Sequence, residues 1–382
     1  MGGQNGRNYA IDEPLKSLAR FADKRFADKY IDSERRRRYD LCNIPAVPLS
    51  LWDDAHQGRV FLCAHFIAGL RDAPMSQMNA LIQFNKPWLS RADQIALLAS
   101  RGLHVTDRAA AEAFLGHVNY YRFSGYCLAF EQSRHKFLAG VTFEQVKAAY
   151  DFDWILRDQI SEALEVVELD FRAAVAAHFG HDHGPFGHRD ASKFFPAFDG
   201  KSSHRDWLKN LRHETERSQE LFVKHFKATY VEYPDLPLWM AAEVMSFGCL
   251  SKMLAGMMKA DRKIVAHRYN LQSDDFASWV HHLVYVRNLC AHHCRTWDRV
   301  WAIKPSLPAA RAWRAPLLPG NNKLFVTLLI LSYLIKRCPT MDGYWNWWRQ
   351  RVESHLASPP SAPDALYKMG LTSAWLQHPF WR

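Results

Sequence analysis

The feature that most constrains the fold is an uninterrupted helical segment near the middle of the chain. No proline or glycine occurs in residues 141–179, and Thr142 with Gln145 forms a capping box at the start. Apolar residues recur at steps of four, three, four and four, which places them in one stripe: Ile160, Leu164, Val167, Phe171 and Val175. We expect one long helix that ends at Gly180 and buries this stripe against other helices.

The remaining periodic segments also predict helices. They are 94–126 with a turn at Gly102 and a cap at Asp107, 204–230, 238–258, a helix capped by Ser273, and 323–338. No segment has the two-residue alternation of a strand, and the tryptophan-rich tail after Cys338 looks irregular. The expected fold class is all-α.

Residues 1–75 differ in character from the rest. They contain a tandem copy of Arg-Phe-Ala-Asp-Lys at 20–29 and four arginines at 35–38. Because a five-residue step turns an ideal helix by about 140°, the two copies do not build an amphipathic helix. We expect a poorly defined extension, or a misassigned start ahead of Met75. The expected divisions are 1–75 as this extension, 76–135 as an N-terminal helical part, 136–310 as the helical core, and 311–382 as a C-terminal helix and tail.

The charge balance favours a polyanionic partner. Of the 382 residues, Lys and Arg exceed Asp and Glu by 10, which suits nucleic acid or an anionic membrane surface. A soluble basic protein without such a partner remains an alternative. Seven cysteines form no disulfide pattern, and the apolar runs 60–70 and 324–335 are too short to span a membrane. We therefore expect a cytoplasmic protein that has no membrane partner.

An Arg-x4-His pattern is the minimal candidate for catalysis, and it occurs twice. Both Arg262…His267 and Arg287…His292 match it, which is about the number expected by chance. Only the second carries Asn288 after the arginine. It also lies in a denser polar block, whose other members are His293, Arg295, Asp298 and Arg299. The second match is the stronger candidate.

Helical geometry sets a condition on this candidate. Arg287 falls within about 40° of the apolar stripe of its helix, where a guanidinium needs a carboxylate or a phosphate as partner. A buried structural arginine paired with Glu168 or Glu243 is one possibility. His292 lies about 140° away from Arg287, so one straight helix does not direct both at one ligand.

Two histidine-containing groups are candidate metal sites, and no metal is expected at either. His178, His181, His183 and His188 lack a cysteine or paired carboxylate at a recognised spacing, so a polar loop is favoured. Cys290, Cys294, His292 and His293 are too crowded for a structural zinc site, and both cysteines fit the core. Glu168 and Arg172 predict a solvated i, i+4 pair.

Four blocks, taken in order, resemble the Abi-like abortive-infection proteins of bacterial phage defence, the AbiD/AbiF group. They are Phe84-Asn85-Lys86-Pro87 through Arg101-Gly102-Leu103; Asn119 through Tyr126; Tyr150-Asp151-Phe152-Asp153 with Leu156-Arg157 and Glu168…Arg172; and Pro237-Leu238-Trp239-Met240 with Ser246-Phe247-Gly248 and residues 287–297. The resemblance covers roughly residues 80–300. It implies a HEPN-like helical bundle, here with an N-terminal helical extension and a short C-terminal helical tail.

The same resemblance implies a metal-independent endoribonuclease without a cofactor. Arg287 and His292 would be the catalytic pair, with Asn288 beside them. The residues implied to support or bind RNA are His293, Arg295, Arg299, Glu168, Arg172, Tyr121 and Arg122. The implied partners are RNA, as substrate or as a regulatory non-coding RNA, a second copy of the chain, and an antitoxin. A non-catalytic HEPN-like module that binds RNA or protein is the alternative.

Overall fold

The computed structural model describes residues 83–198, 200, 203–340 and 342–382. The predicted extension 1–75, with its tandem copy and arginine run, lies outside the described residues. Within these limits, no helix is both long enough and apolar enough to cross a membrane.

The described residues form an all-α structure with one small hairpin, which confirms the expected class. The elements are α1 (Arg91–Ser100), α2 (Arg108–Val118), α3 (Tyr120–Cys127), β1 (Glu131–Ser133), β2 (Lys136–Phe137), α4 (Phe143–His183), α5 (His204–Arg217), α6 (Leu221–Thr229), α7 (Leu238–Val244), α8 (Phe247–Gly256), α9 (Lys259–His267), α10 (Ser273–Ala291), α11 (Leu324–Ile335), α12 (Tyr344–Leu356) and α13 (Ala365–Lys368).

The predicted long helix is α4, and its 41 residues organise the fold. The capping box forms as expected: the Gln145 backbone N–H donates to Thr142 Oγ1 at 3.3 Å, and the Thr142 N–H donates to Gln145 Oε1 at 2.9 Å. The whole predicted stripe is buried. The predicted end was wrong, because α4 continues past Gly180 and stops before Gly184, whose φ is +74°. A glycine inside a helix weakens it without ending it, whereas the left-handed conformation at 184 does end it.

Most other helices pack around α4. It contacts α3, α7, α8, α9, α10, α11 and α12. Every residue of α11 is buried, so α11 is apolar on all sides and occupies the centre of the core. The core therefore joins sequence segments that are far apart.

Several predicted boundaries were too long. Segment 204–230 is two helices, α5 and α6, and segment 238–258 is also two, α7 and α8. Ser246 starts α8, since its Oγ accepts the Cys249 N–H at 3.2 Å. Ser273 does not cap α10; it is the first helical residue and Gln272 precedes it without a side-chain cap.

Two predictions of irregular or strand-free structure were wrong. β1 and β2 form an antiparallel hairpin with a bulge, turning at His135 with a φ of +66°. Strands of three and two residues are too short to show alternation in the sequence.

The tail contains α12, whose tryptophan Trp348 is fully buried and donates to the Gln159 carbonyl of α4 at 2.9 Å. Tertiary packing therefore orders a segment whose own periodicity is weak.

His282 of α10 is a buried histidine that makes the fold sensitive to acid. It is fully buried, with Nδ1 2.7 Å from the Ile303 carbonyl oxygen and Nε2 2.9 Å from Thr327 Oγ1. A carbonyl only accepts, so Nδ1 donates and the neutral ring accepts the threonine hydroxyl at Nε2. Burial lowers the pKa of His282 to about 4.

We expect this residue to cost the wild type about 2 kcal/mol of unfolding free energy between pH 7.5 and pH 5. Over this range the unfolded chain binds a proton at His282 and the folded chain does not, so stability falls as the pH falls. Urea denaturation at both pH values measures the loss. On acidification, the free energy of unfolding of His282→Gln should fall less than that of wild type. That of His213→Gln, a change at an exposed position on α5, should fall as much as that of wild type. An equal loss in His282→Gln would contradict the assignment.

Candidate functional site

The segment that follows α10 forms a defined turn, not a continued helix. His292 is the C-cap, and His293 follows it with a φ of +55°. The His293 N–H donates to the Cys290 carbonyl at 3.0 Å, and the Cys294 N–H donates to the Leu289 carbonyl at 2.8 Å. This pair of bonds is a Schellman motif with a histidine in the left-handed position that usually holds glycine. We call residues 292–294 the motif turn.

The motif turn is connected to α3. The Arg122 guanidinium donates from Nη1 to the His293 carbonyl oxygen. Beside it, Tyr121 is 84% exposed, and its backbone N–H is held by Asn119 Oδ1 at 2.8 Å. The structure therefore brings Arg122 of the aromatic block to the end of the Arg-x4-His motif, 171 positions away along the chain.

A buried carboxylate holds the chain directly after the motif turn. Asp153 of α4 is fully buried and accepts hydrogen bonds from the Trp297 N–H at 2.7 Å, from the Thr296 N–H at 3.1 Å and from the Thr296 hydroxyl. It also accepts the Tyr126 hydroxyl at 2.7 Å and pairs with Arg157 at 2.5 Å. Burial, and next the Asp153 carboxylate, raises the pKa of Tyr126 far above its ordinary value, so the phenol remains a donor. Asp153 is the positioning residue of this loop.

Arg287 lies in an open pocket between α4 and α10. The pocket has a volume of about 390 Å³ and is lined by Ser161, Leu164, Glu165, Glu168, Leu169, Arg287 and Ala291. Arg287 is exposed, so the alternative of a buried structural arginine was wrong. A helical wheel gives direction around the axis but not depth, and Arg287 lies at the margin where α10 meets α4. Its Nη1 is 3.5 Å from Asn288 Oδ1.

Glu168 and Arg172 form an internal pair, not the solvated pair expected from the sequence. Their side chains are only 17% and 10% exposed and approach to 2.6 Å. Arg172 also donates to the Ala242 carbonyl and, at 2.7 Å, to the Met245 carbonyl, at the end of α7. Arg172 thus joins α4 to the end of α7, while Glu168 is shared between this pair and the pocket.

Two further predicted supporting residues, Arg295 and Arg299, bond within their own loop and to Tyr285 of α10. Arg295 approaches Asp298 at 3.4 Å, and Arg299 donates to the Arg295 carbonyl at 3.2 Å and to the Tyr285 hydroxyl at 3.4 Å. Both side chains are half-buried. Through these contacts Arg295 and Arg299 stabilise the loop that follows the motif turn.

The cysteines of the motif region are core residues, as expected. Cys290 is buried, and burial raises the pKa of its thiol to about 12. Cys294, outside the helix, is half-buried and 3.9 Å from the His292 carbonyl oxygen. A thiol with so high a pKa is a poor nucleophile and a poor metal ligand at neutral pH.

The three predicted catalytic residues lie on α10 and at its C-cap. Arg287 lines the pocket with Glu168, and Asn288 contacts Arg287. His292 is exposed at the C-cap, where it is open to a substrate. This arrangement can supply a proton-transfer group and a guanidinium at one solvent-facing end of α10.

Two contributors were missed in the sequence. Glu165 lines the pocket three residues before Glu168, and Asp153 holds the loop after the motif turn. For Asp153 a signal was present: Asp153 and Arg157 occupy i, i+4 positions on a face where Phe152, Leu156 and Ile160 are apolar. A charged pair in such a face indicates a buried network.

A family model described as Abi-like protein matches residues 113–298. The match begins within α2 and ends just after Trp297, so it includes α3, α4, the pocket and the motif turn. No curated protein sequence and no solved structure gives a significant match to the chain. Residues 113–298 are thus an Abi-like segment, and this family connects it in general terms with abortive infection, a bacterial defence against phage.

Proposed function

We propose that the chain is a HEPN-type, metal-independent endoribonuclease of abortive infection, in which Arg287 and His292 are the catalytic pair and Asn288 assists. One observation carries the proposal: each of the three side chains is exposed, in the last turns of α10 and at its C-cap. The other Arg-x4-His match differs, because Arg262 is held 5.2 Å over the Phe195 ring and 3.7 Å from Asp274.

The chemistry follows from the two groups. The ribose 2′-hydroxyl attacks the adjacent phosphorus, and the 5′-oxygen of the next nucleotide leaves. His292 takes the proton of the attacking hydroxyl or gives one to the leaving oxygen, a role that suits a side-chain type with an ordinary pKa of about 6.5. Arg287 stabilises the negative charge that develops on the phosphoryl oxygens.

RNA is the expected partner because of charge and of exposed aromatic surface. The net charge of +10 favours phosphate contacts that weaken as salt rises. Tyr121 precedes Arg122 in the chain and is largely exposed, and a flat exposed ring suits base stacking. The activity belongs in the cytoplasm, where RNA and any antitoxin or regulatory non-coding RNA would meet it.

A homodimer would complete the site. Leu169 of the pocket is exposed, and Trp154 and Ile155 are exposed on the same side of α4, within about 60° of it on the helical wheel. A second copy packed here would face Arg287 of the first. Arg287 of one chain and His292 of the other would then converge on one phosphate. The separation of about 140° between the two residues on one helix would no longer prevent this.

The test compares RNA from bacterial cells that express wild type with RNA from cells that express His292→Ala. We expect new cleavage ends and growth arrest only with wild type. His267→Ala, which removes the exposed histidine of the second match, should produce the same ends as wild type. If His292→Ala produced the wild-type ends and toxicity, the proposal would fail.

A non-catalytic RNA-binding module is the second candidate, and one feature favours it. Glu165 and Glu168 line the same pocket as Arg287, and two carboxylates there oppose a phosphate. Cross-linking and sequencing of bound RNA, beside a cleavage assay, separates the two functions. Binding that persists in Arg287→Ala and His292→Ala, without products from wild type, would favour the module.

A further inference from the structure

The C-terminal end of α4 carries a cluster of imidazoles and carboxylates that the proposed function does not use. His178 Nε2 is 3.0 Å from Asp261 Oδ1, and His183 Nε2 is 3.1 Å from the same oxygen. On its other side, His178 Nδ1 is 3.5 Å from Asp182 Oδ2. His178, Asp182 and Asp261 each offer a ligand atom, and these atoms lie within 4.8 Å of one another.

The cluster comes from two helices. His178 and Asp182 are an i, i+4 pair on one face of α4, and Asp261 lies in the first turn of α9. The positive end of the α9 dipole stabilises a carboxylate at that position. The loop after α4 leaves little freedom for His183, because a side chain at Gly187 would meet its Cβ at 2.4 Å.

The spacing suits a metal ion. Ligands bound at about 2.0–2.2 Å around a tetrahedral ion lie about 3.4 Å apart. The 3.0 Å between His178 Nε2 and Asp261 Oδ1 is near this value, and one ligand atom from each of the three residues lies within 4.8 Å of the others. One imidazole gives one nitrogen to a given ion, so binding replaces one of the two His178 contacts. Imidazole with carboxylate favours a divalent first-row transition metal over Mg²⁺ or Ca²⁺.

The burial and the charge of these side chains also favour a bound metal ion. The side chains of His178 and Asp261 are 11% and 10% exposed, whereas that of Asp182 is 39% exposed. The two carboxylates, Asp182 and Asp261, carry negative charge that a divalent cation balances. The open side at Asp182 leaves a route for the ion and room for a water ligand.

We propose that His178, Asp182 and Asp261 bind one divalent transition-metal ion such as Zn²⁺, and that His183 orients Asp261 by a hydrogen bond. The ion joins the end of α4 to the start of α9. The site is separate from the pocket of Arg287, since Leu169 and His178 are nine residues apart, about 14 Å along the helix. The inference therefore stands apart from the proposed ribonuclease.

The first experiment titrates Zn²⁺ into the full chain, stripped beforehand with a chelator, by isothermal titration calorimetry. We expect one site per chain. His178→Gln and Asp261→Asn should abolish that site, and His183→Gln should weaken binding about 10–100-fold, as loss of a hydrogen bond to a ligand does. His213→Gln on α5 is the matched control and should bind as wild type does. Circular dichroism checks that each variant keeps its helical content.

The second experiment needs no variant. X-ray absorption fine structure of the Zn²⁺-loaded wild type should show only nitrogen and oxygen neighbours at about 2.0–2.2 Å. Zn²⁺ should also raise the melting temperature of wild type and leave that of His178→Gln unchanged. A sulfur neighbour at about 2.3 Å, or no stoichiometric binding, would overturn the proposal. In the latter case the cluster is a hydrogen-bonded network only.

Discussion

Purified His292→Ala is expected to cleave RNA about 10²–10⁴-fold more slowly than wild type, the usual loss when a general acid or base is removed. The exposed position of His292 at the C-cap of α10 means that the change leaves packing intact. A fluorescent RNA cleavage assay with excess chelator measures the rate. His267→Ala, which removes an exposed histidine at the end of α9, should keep the wild-type rate.

Arg287→Ala should cleave RNA about 10²–10³-fold more slowly than wild type, because the charge on the phosphoryl oxygens then lacks its stabilising donor. Arg287→Lys should remain well below wild type, since lysine does not present the two-pronged donor geometry of arginine. The double variant should be little worse than His292→Ala, because residues that act as a unit do not add. Wild-type rates in either single variant would remove Arg287 and His292 from the chemistry.

Mixing the two inactive variants tests whether the site is shared between copies. If Arg287 of one copy acts with His292 of the other, a mixed dimer holds one complete site, and up to about a quarter of wild-type activity returns. If both residues act within one copy, no mixture restores activity. Analytical ultracentrifugation of wild type supplies the dimer population for this comparison.

Asp153→Ala is expected to destabilise the fold by about 3–5 kcal/mol, the usual cost of removing one partner of a buried ion pair. The change leaves the Arg157 guanidinium and the backbone N–H groups of Thr296 and Trp297 without the carboxylate that accepts from them. Urea denaturation gives the free energy of unfolding. RNA cleavage should fall as well, since the loop after the motif turn loses its anchor.

Asp151→Ala is the matched control for this change. It lies two residues earlier on the same helix and pairs with Lys147 at 2.6 Å, with both side chains more than 40% exposed. Exposed pairs of this kind contribute at most about 1 kcal/mol. A stability loss of the same small size in Asp153→Ala would show that the buried network does not hold the loop.

The sequence alone determined the elements that depend on near neighbours. The capping box of α4 acts across three residues and the stripe across one helix face, so both were predictable and both were confirmed. The start of α2 at Asp107 is a further case, with Oδ1 accepting the Ala110 N–H at 2.9 Å. The end of α4 was predicted at Gly180 and was wrong, because the left-handed conformation that ends the helix occurs at Gly184.

Only the tertiary structure decided the contacts that join distant segments. Asp153 and Thr296 are 143 positions apart, and His178 and Asp261 are 83 positions apart. No local rule links such residues, because their meeting depends on how α4, α9 and α10 pack. The histidine group near the end of α4 was therefore predicted as a polar loop without a metal, whereas folding brings Asp261 to it. In the same way, the sequence predicted Arg287 and His292 as a pair, but the pocket around Arg287 depends on the packing of α10 against α4.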